Sequence, residues 1–475
     1  LSPADRIFHA PSINCCIIAA IGCKTKINAN VVKDGLEHTL LKHPRFSSIV
    51  VMDDKKGGKM SWVRTTVDLE NHVFVPDLDP NMDSPDGFVE DYIYDLTKTS
   101  MDLSKPLWDL HILNVKTSEA NALWIFRFHH SIGDGASLIS LLLACTRKTS
   151  DPKALPSVPK KKQVGSSNSG GFLHFLFTIW SIFMLILNTF VDVMLFVATT
   201  LFLKDTATPV NGALLELELS PKRFVHRTIS LDDIKLVKNA MNMTINDVVL
   251  GVTQAGLSHY LNRRYASENE KDKGATEKRN NLPKRIRLRA TLLVNLRPSA
   301  GIEALADMME KSSKAKWGNC IGHVLLPFTI ALRDDPLDYI HEAKAKIDRK
   351  KLSLGAMCTF SSSKFMLKFF GTKAAAASIR KFLCNTTMTF SNVVGPQEEI
   401  SFYGYPVAYI APSVYGHPHA LTIHFQSYVN KMTIALTADQ DAIPDPHQFC
   451  DDLEESLTLI RDAVIKKGLV KDVGV

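Results

Sequence analysis

Cysteine pairing is missing from this chain. Its eight cysteines are Cys15, Cys16, Cys23, Cys145, Cys320, Cys358, Cys384 and Cys450, with no C-x-x-C among them and most inside apolar runs. A disulfide framework or a zinc ribbon is therefore not expected, and reduced, buried thiols in a cytosol-facing environment are. A strong charge of one sign is also missing. Lys+Arg 56 against Asp+Glu 49 gives +7, enough for anionic ligands or a lipid surface but too little to argue for nucleic acid. No internal repeat occurs. The first residues given are not expected to be a secretory signal, because Ser2, Pro3, Asp5, Arg6 and His9 interrupt any apolar run. The first residue is Leu1 and not Met, so the natural N-terminus is expected upstream, and Val473-Gly474-Val475 carries no retrieval or prenylation signal.

What is present is ordinary globular material: 45% hydrophobic and 22% charged residues, which exclude a disordered, collagen-like or polytopic membrane chain. At 475 residues the chain is too long for one typical core. The mean hydropathy is close to zero, an average that can hide one apolar segment.

The first third alternates strands and helices. The apolar run Ile13–Lys24 predicts a buried strand, and Val31, Val32, Leu36, Leu40 and Leu41 predict a helix over Asn30–His43 that stops at Pro44. Ala122–Phe128 predicts a strand and Ala136–Arg147 a helix. Residues 148–171 read as a linker, with Pro152, Pro156, Pro159, the Lys160–Lys162 run and a Gly/Ser stretch. Residues 172–203 contain neither Gly nor Pro and are mostly apolar, with His174, Thr178, Ser181, Asn188, Thr189, Asp192, Thr199 and Thr200 as their polar members. Beyond residue 211, strands are expected at Arg227–Leu231, Ile286–Val294, Cys320–Pro327, Thr386–Ser391, Ala420–Phe425 and Met432–Ala438, and helices at Leu231–Met241, Ile245–Arg263, Leu337–Arg349, Lys364–Phe382 and His447–Lys466. Glu268–Asn281 reads as a charged surface loop. The expected units are 1–147, 148–171, 172–203 and 211–475.

Between the strand Ala122–Phe128 and the next helix lies His129-His130-Ser131-Ile132-Gly133-Asp134-Gly135. A histidine titrates near neutrality and takes a proton from a hydroxyl at cellular pH. An aspartate nearby can fix the loop through an arginine, and a glycine leaves room for a close turn.

This motif resembles the active-site motif of the coenzyme-A-dependent acyltransferase superfamily. Pro106-Leu107-Trp108, Asn246-Asp247-Val248-Val249 and Asn392-Val393-Val394-Gly395-Pro396 narrow the resemblance to the wax ester synthase/diacylglycerol acyltransferases. Lys42-His43-Pro44-Arg45-Phe46 and Ser2-Pro3 are similar to the plant branch. The D-F-G-W-G loop of the plant alcohol acyltransferases is absent, and nothing resembles a carrier domain beside a peptide-synthetase condensation domain.

The resemblance implies an α/β, two-domain chloramphenicol-acetyltransferase-like fold with the active site between the domains. It implies transfer of a fatty acyl group from acyl-CoA to a long-chain alcohol, giving wax ester, or to diacylglycerol, giving triacylglycerol. The remaining alternatives are a catalytically idle lipid-binding relative and a carrier-dependent condensation enzyme. His130 is then the general base, His129 a supporting residue facing the opposite way, and Asp134 a loop-fixing residue partnered by Arg297. Gly135 belongs to the motif. Asn246 and Asp247 open a helix, where such residues are ordinarily caps, and the resemblance adds a substrate-binding role. Trp108 is expected in the core, and Gly318-Asn319 is expected to be structural. No metal, no cofactor and no covalent acyl-enzyme is implied; acyl-CoA is a substrate. Lys278, Arg279, Lys284, Arg285, Arg287 and Arg289 form a basic cluster that suits CoA phosphates, lipid headgroups or plain solvation. The expected location is the cytosolic face of the endoplasmic reticulum membrane, with the plasma membrane as the alternative.

The apolar segment allows three placements. As one helix it would be about 48 Å long, more than the roughly 30 Å hydrocarbon core. His174, Thr178, Ser181, Asn188, Asp192 and Thr199 fall in a stripe of roughly 80°, which Leu185 and Phe196 interrupt. One crossing would put the two domains on opposite sides of the membrane. A helix or bent pair lying in the interface is therefore favoured over a single span, and over a lid packed on the protein.

Overall fold

The structure is a computed structural model. It describes residues 1–10, 12–53, 59–79, 81–157, 172–211, 220–268, 279–297 and 317–470. The Lys160–Lys162 run, the Gly/Ser stretch, Lys278 and most of the expected loop over Glu268–Asn281 lie outside them.

In the first part, Ser2 caps a short helix α1 (Pro3–Phe8) through a reciprocal hydrogen bond with Asp5. The apolar run that follows forms β1 (Cys16–Cys23), and Asn28 caps α2 (Ala29–His38). A hairpin of β2 (Ser48–Asp53) and β3 (Lys59–Arg64) stands apart as a two-stranded sheet. Then come β4 (Val73–Phe74), α3 (Pro85–Lys98), β5 (Trp108–Leu113), β6 (Ala122–His129), α4 (Gly135–Cys145) and β7 (Thr146–Lys148). β5 and β6 are buried along their whole length, and their polar members pair with one another: Asp109 accepts from Arg127 Nη2 at 2.6 Å and lies 3.2 Å from His111 Nε2.

The apolar segment is one helix, α5 (Phe172–Leu201). The second part holds β8 (Lys222–Ser230), α6 (Leu231–Ala240), α7 (Ile245–Glu268), β9 (Leu288–Asn295), β10 (Ile321–Phe328), α8 (Leu337–Lys351), α9 (Gly355–Cys384), β11 (Met388–Val393), β12 (Ile400–Phe402), β13 (Tyr405–Tyr415), β14 (Leu421–Tyr428), β15 (Lys431–Asp439) and α10 (Pro446–Lys466).

Two mixed sheets carry the fold. One has the order β4-β5-β6-β1-β13-β12-β7 and the other β10-β9-β11-β14-β15-β8. β1 lies antiparallel between β6 and β13, pairing Cys16 with His129 on one side and Tyr415 on the other. The unit expected over 211–475 is therefore not self-contained, because β12 and β13 leave it to complete the first sheet. The expected linker also begins inside a strand: Lys148 pairs with Ile400. Helices α6, α7, α8 and α10 bury their apolar faces with the second sheet, around Val248, Leu257, Ile340, Phe425 and Leu453. The first core gathers Leu36, Phe46, Trp108, Trp124 and Phe402. Trp108 is fully buried, as expected, and its Nε1 donates to the Phe46 carbonyl at 2.9 Å.

α5 is not isolated. Its C-terminal half packs on α8 and α9, and its polar positions point inward. Asp192 accepts from Arg349 Nη2 at 2.8 Å and Lys350 Nζ at 2.7 Å, Thr189 Oγ1 accepts from the Leu354 amide at 2.9 Å, and the Thr199 carbonyl accepts from Asn385 Nδ2 at 2.6 Å. Residues His174 to Phe183, by contrast, are exposed on every side. Arg289, expected within a basic surface cluster, is buried instead. It pairs with Asp205 at 2.5 Å and donates to the Leu203 and Asn385 carbonyls at 2.9 Å each, while Lys284, Arg285 and Arg287 stay exposed.

Candidate active site

β6 runs straight into the histidine pair. Ladder bonding to β1 fixes His129, and the His130 amide donates to the Cys15 carbonyl at 2.9 Å. The two rings face different ways. His129 stacks on His9 with centroids 4.4 Å apart, and its Nδ1 meets Ser131 Oγ at 2.7 Å. Burial first, and then the neighbouring histidines, push its pKa down to about 3. It lines neither cavity described below.

His130 sits between two cavities. The larger, about 410 Å³, lies between the sheets and is mostly apolar, with Ala19, Phe128, Leu138, Leu293, Val393 and Val414 in its walls. Its volume falls within the range of about 300–1,000 Å³ usual for small-molecule sites. The smaller, about 70 Å³, lies on the side of α1 and α9, against Phe8, Phe360, Ile379 and His417. His130 lines both.

The protonation of His130 follows from its neighbour. Asn319 Nδ2 donates to the His130 carbonyl at 2.7 Å and to Asp5 Oδ1 at 2.8 Å. Both contacts are acceptors, so the amide oxygen must be the atom facing His130 Nδ1, 3.1 Å away. Nδ1 therefore carries the proton and Nε2 is the basic nitrogen. Burial lowers the His130 pKa below the ordinary histidine value, outweighing the raising effects of Asp134 and of the Asn319 bond. The ring is neutral at cellular pH. Asp5 anchors the far end of this chain. Burial acts to raise its pKa, yet Arg45, 3.3 Å away, and the bonds from Ser2 and Asn319 hold the carboxyl below its usual value. Asn319, expected to be merely structural, is thus a positioning residue. Asp5 and Arg45 are further members; Arg45 lies in the Lys42-His43-Pro44-Arg45-Phe46 stretch that the sequence already marks, while nothing in the local sequence marks Asp5.

Asp134 caps α4 by accepting from the Ser137 amide at 3.0 Å. Arg297 Nη1 donates to both its oxygens, at 3.0 and 2.8 Å, and the Cys320 amide adds a bond at 3.2 Å. Arg297 also reaches the Gly318 carbonyl, so one side chain ties the motif loop to the segment before β10 that carries Asn319. Gly135 lines the large cavity. A Cβ there would meet only Val393, at 3.9 Å, and would take space from the cavity.

Asn246 and Asp247 separate. Asp247 is buried and exchanges bonds with Thr244, its Oδ2 accepting from the Thr244 amide at 2.8 Å. This is a reciprocal helix cap, and Asp247 lines neither cavity. Its other oxygen, Oδ1, is buried without a hydrogen-bond partner among the described residues. Asn246 accepts from Asn392 Nδ2, and it is Asn392 that lines the large cavity. Asn246 itself does not line that cavity. In the same loop a Cβ at Gly395 would collide with the Ser427 carbonyl, so no larger residue fits there. His424, on β14, also faces the large cavity. Its Nδ1 lies 3.2 Å from Ser413 Oγ, and burial pushes its pKa down to about 3.

Comparison with known proteins bears on this site. The model of the wax ester synthase/diacylglycerol acyltransferase catalytic domain matches residues 9–249, and that of the WS/DGAT C-terminal domain matches 317–461. Wax ester synthase/diacylglycerol acyltransferase 11 of Arabidopsis thaliana is 56% identical over 474 residues, covering 99% of this chain and 96% of that one. Wax ester synthase/diacylglycerol acyltransferase 6 of the same plant is 53% identical over 482 residues, covering 98% and 93%. Among solved structures, the wax ester synthase/diacylglycerol acyltransferase from Marinobacter aquaeolei VT8 superposes with a TM-score of 0.60 at 15% identity, covering 98% of this chain and 99% of that one. The first condensation domain of the calcium-dependent antibiotic synthetase follows at 0.54 and 11%, covering 94% and 91%. At those identities the two structures speak to the fold alone, and they bear out the two-domain α/β architecture.

Proposed function

The chain belongs to the wax ester synthase/diacylglycerol acyltransferase family, and from that premise we propose that it transfers a fatty acyl group from acyl-CoA to a long-chain fatty alcohol, with diacylglycerol as the rival acceptor. The observation that carries this reading is the neutral His130, with Nε2 free and an apolar cavity on each side. Nε2 takes the proton of the acceptor hydroxyl as its oxygen attacks the thioester carbonyl. The tetrahedral intermediate collapses with loss of CoA thiolate, and the imidazolium returns the proton to sulfur. Base catalysis of this kind contributes roughly 10²–10⁴-fold. The reading needs no cofactor and no covalent acyl-enzyme. Asp134, Arg297 and Asn319 position the base and touch no reacting atom.

The second part of the proposal is a membrane surface: the cytosolic face of the endoplasmic reticulum, with the plasma membrane as the alternative site. The part of α5 exposed on every side, His174 to Phe183, spans about 15 Å, half of a hydrocarbon core of about 30 Å, and beyond it only the outer face, with Ile186, Phe190, Met194 and Leu201, stays exposed. Because the other half is bound to the protein through Asp192, Thr189 and Thr199, insertion into one leaflet is favoured over a complete span. A fatty alcohol dissolves in the bilayer and acyl-CoA arrives from the cytosol, so this boundary suits the chemistry.

Expression in a lipid-deficient host supplied with fatty alcohol or diacylglycerol tests the substrate. Wax ester from the wild-type chain, and none from His130→Ala, is expected. Accumulation of triacylglycerol alone would assign the acceptor to diacylglycerol, and no neutral lipid from either feed would refute the activity.

A further inference from the structure

The segment Gly355–Cys384 is not a simple helix. Gly371 sits at φ 79° and ψ 177°, which breaks it into two arms. Both arms return to the same place. Phe360 and Ser363 from the first, and Ile379 and Leu383 from the second, line the small cavity against His130. Both ends also meet α5: Thr189 bonds to Leu354 at the start, and Phe196 packs on Phe382 near the finish, with centroids 4.8 Å apart. The arms therefore cover the small-cavity side of His130, with the break at their outer tip.

That tip is apolar and exposed. Phe365, Phe369 and Phe370 are 55%, 61% and 61% exposed. The three rings cluster, with Phe365 4.6 Å from Phe369 and 6.2 Å from Phe370. Grouped exposed phenylalanines are costly in water and mark an interaction surface. Lys364, Lys368 and Lys373 stand exposed around them. Lys364 Nζ lies 4.3 Å from the Phe360 ring and Lys368 Nζ 5.4 Å from the Phe369 ring. Exposed ammonium groups beside an apolar patch suit anionic headgroups above an acyl layer.

We propose that the tip of α9 is a second membrane-docking element, which inserts Phe365, Phe369 and Phe370 into an anionic bilayer and so lets a lipid alcohol pass between the arms to His130. The role rests on the acyl-transfer reading, and it goes beyond it by assigning the route by which a lipid alcohol reaches the small cavity and His130. α5 holds the protein at the surface, and α9 delivers the substrate.

The full chain is tested with palmitoyl-CoA and two acceptors, hexadecanol held in phosphatidylcholine–phosphatidylserine vesicles and octanol dispersed in buffer. For Phe369→Asp/Phe370→Asp the ratio of the hexadecanol rate to the octanol rate falls about tenfold or more, measured by CoA release. An unchanged ratio overturns the proposal. An activity-independent arm uses Phe369→Trp in vesicles of brominated lipid. Added tryptophan quenching relative to the wild-type chain is expected, and its absence overturns the docking role. Wild-type protein that releases no CoA with either acceptor would refute the acyl-transfer reading instead, and the quenching arm would still decide the docking.

Discussion

Asn319 has two amide protons, and both go to oxygens, of His130 and Asp5. That leaves its own oxygen to fix the His130 tautomer, and the rate follows from it. His130 must be neutral to act, and burial lowers its pKa, so the plateau of activity extends below pH 6.5 and the acid limb comes later than for a free histidine. A pH profile of kcat/KM between pH 5 and 8 checks this, and an inflection at or above about 6.5 would contradict it. In Asn319→Ala the bond that raises the His130 pKa is gone, so the acid limb moves lower still. Misplacement of the ring costs up to about 100-fold in kcat. An unmoved limb with full activity would remove Asn319 from the mechanism. The histidine–aspartate–glycine motif was legible because its residues are neighbours in sequence. Asn319 and Asp5 lie 189 and 125 positions from His130 and become neighbours only on folding. For Asp247 the local pattern is that of a cap, and the cap is legible in the sequence and present in the structure.

Among the elements, most strands and helices follow the apolar periodicities, and the exceptions have identifiable causes. β13 contains Pro406 and Pro412, and proline argues against a strand with neighbours on both sides. Even so, Pro412 sits opposite Ala19 in the ladder with β1. The short β7 and β12 have too few residues to show alternation. For α5 the run predicted the helix, and the polar stripe predicted that one side differs, but only the packing shows which way it faces. Asp192 is buried between Arg349 and Lys350, with Lys350 itself 7% exposed along its side chain. Asp192→Ala leaves a buried ammonium without its partner, a loss of about 3 kcal/mol, relieved in part because burial already lowers the Lys350 pKa. A lower Tm and faster proteolysis within α5 are expected, and an unchanged Tm with unchanged cleavage would show that this anchor contributes nothing.

For the whole molecule, the decisive feature is that β12 and β13 leave the second part to finish the first sheet. Ser413 on β13 then faces His424 on β14, 3.2 Å away, across the space between the sheets. The large cavity is built from both sheets, so neither half of the chain contains a complete site. Sequence periodicity showed two α/β parts but not this exchange, because strand order is set by pairing between segments hundreds of residues apart. Everything in this mechanism turns on His130, at the junction of two apolar cavities, being the base for acyl transfer from CoA. Thiol release from palmitoyl-CoA with hexadecanol, compared between the purified full chain and its His130→Ala variant, decides the matter. CoA release and hexadecyl palmitate are expected from the wild-type chain, and a loss of about 10²–10⁴-fold in a variant that keeps its circular dichroism and Tm. A folded His130→Ala protein with near wild-type turnover would contradict this assignment.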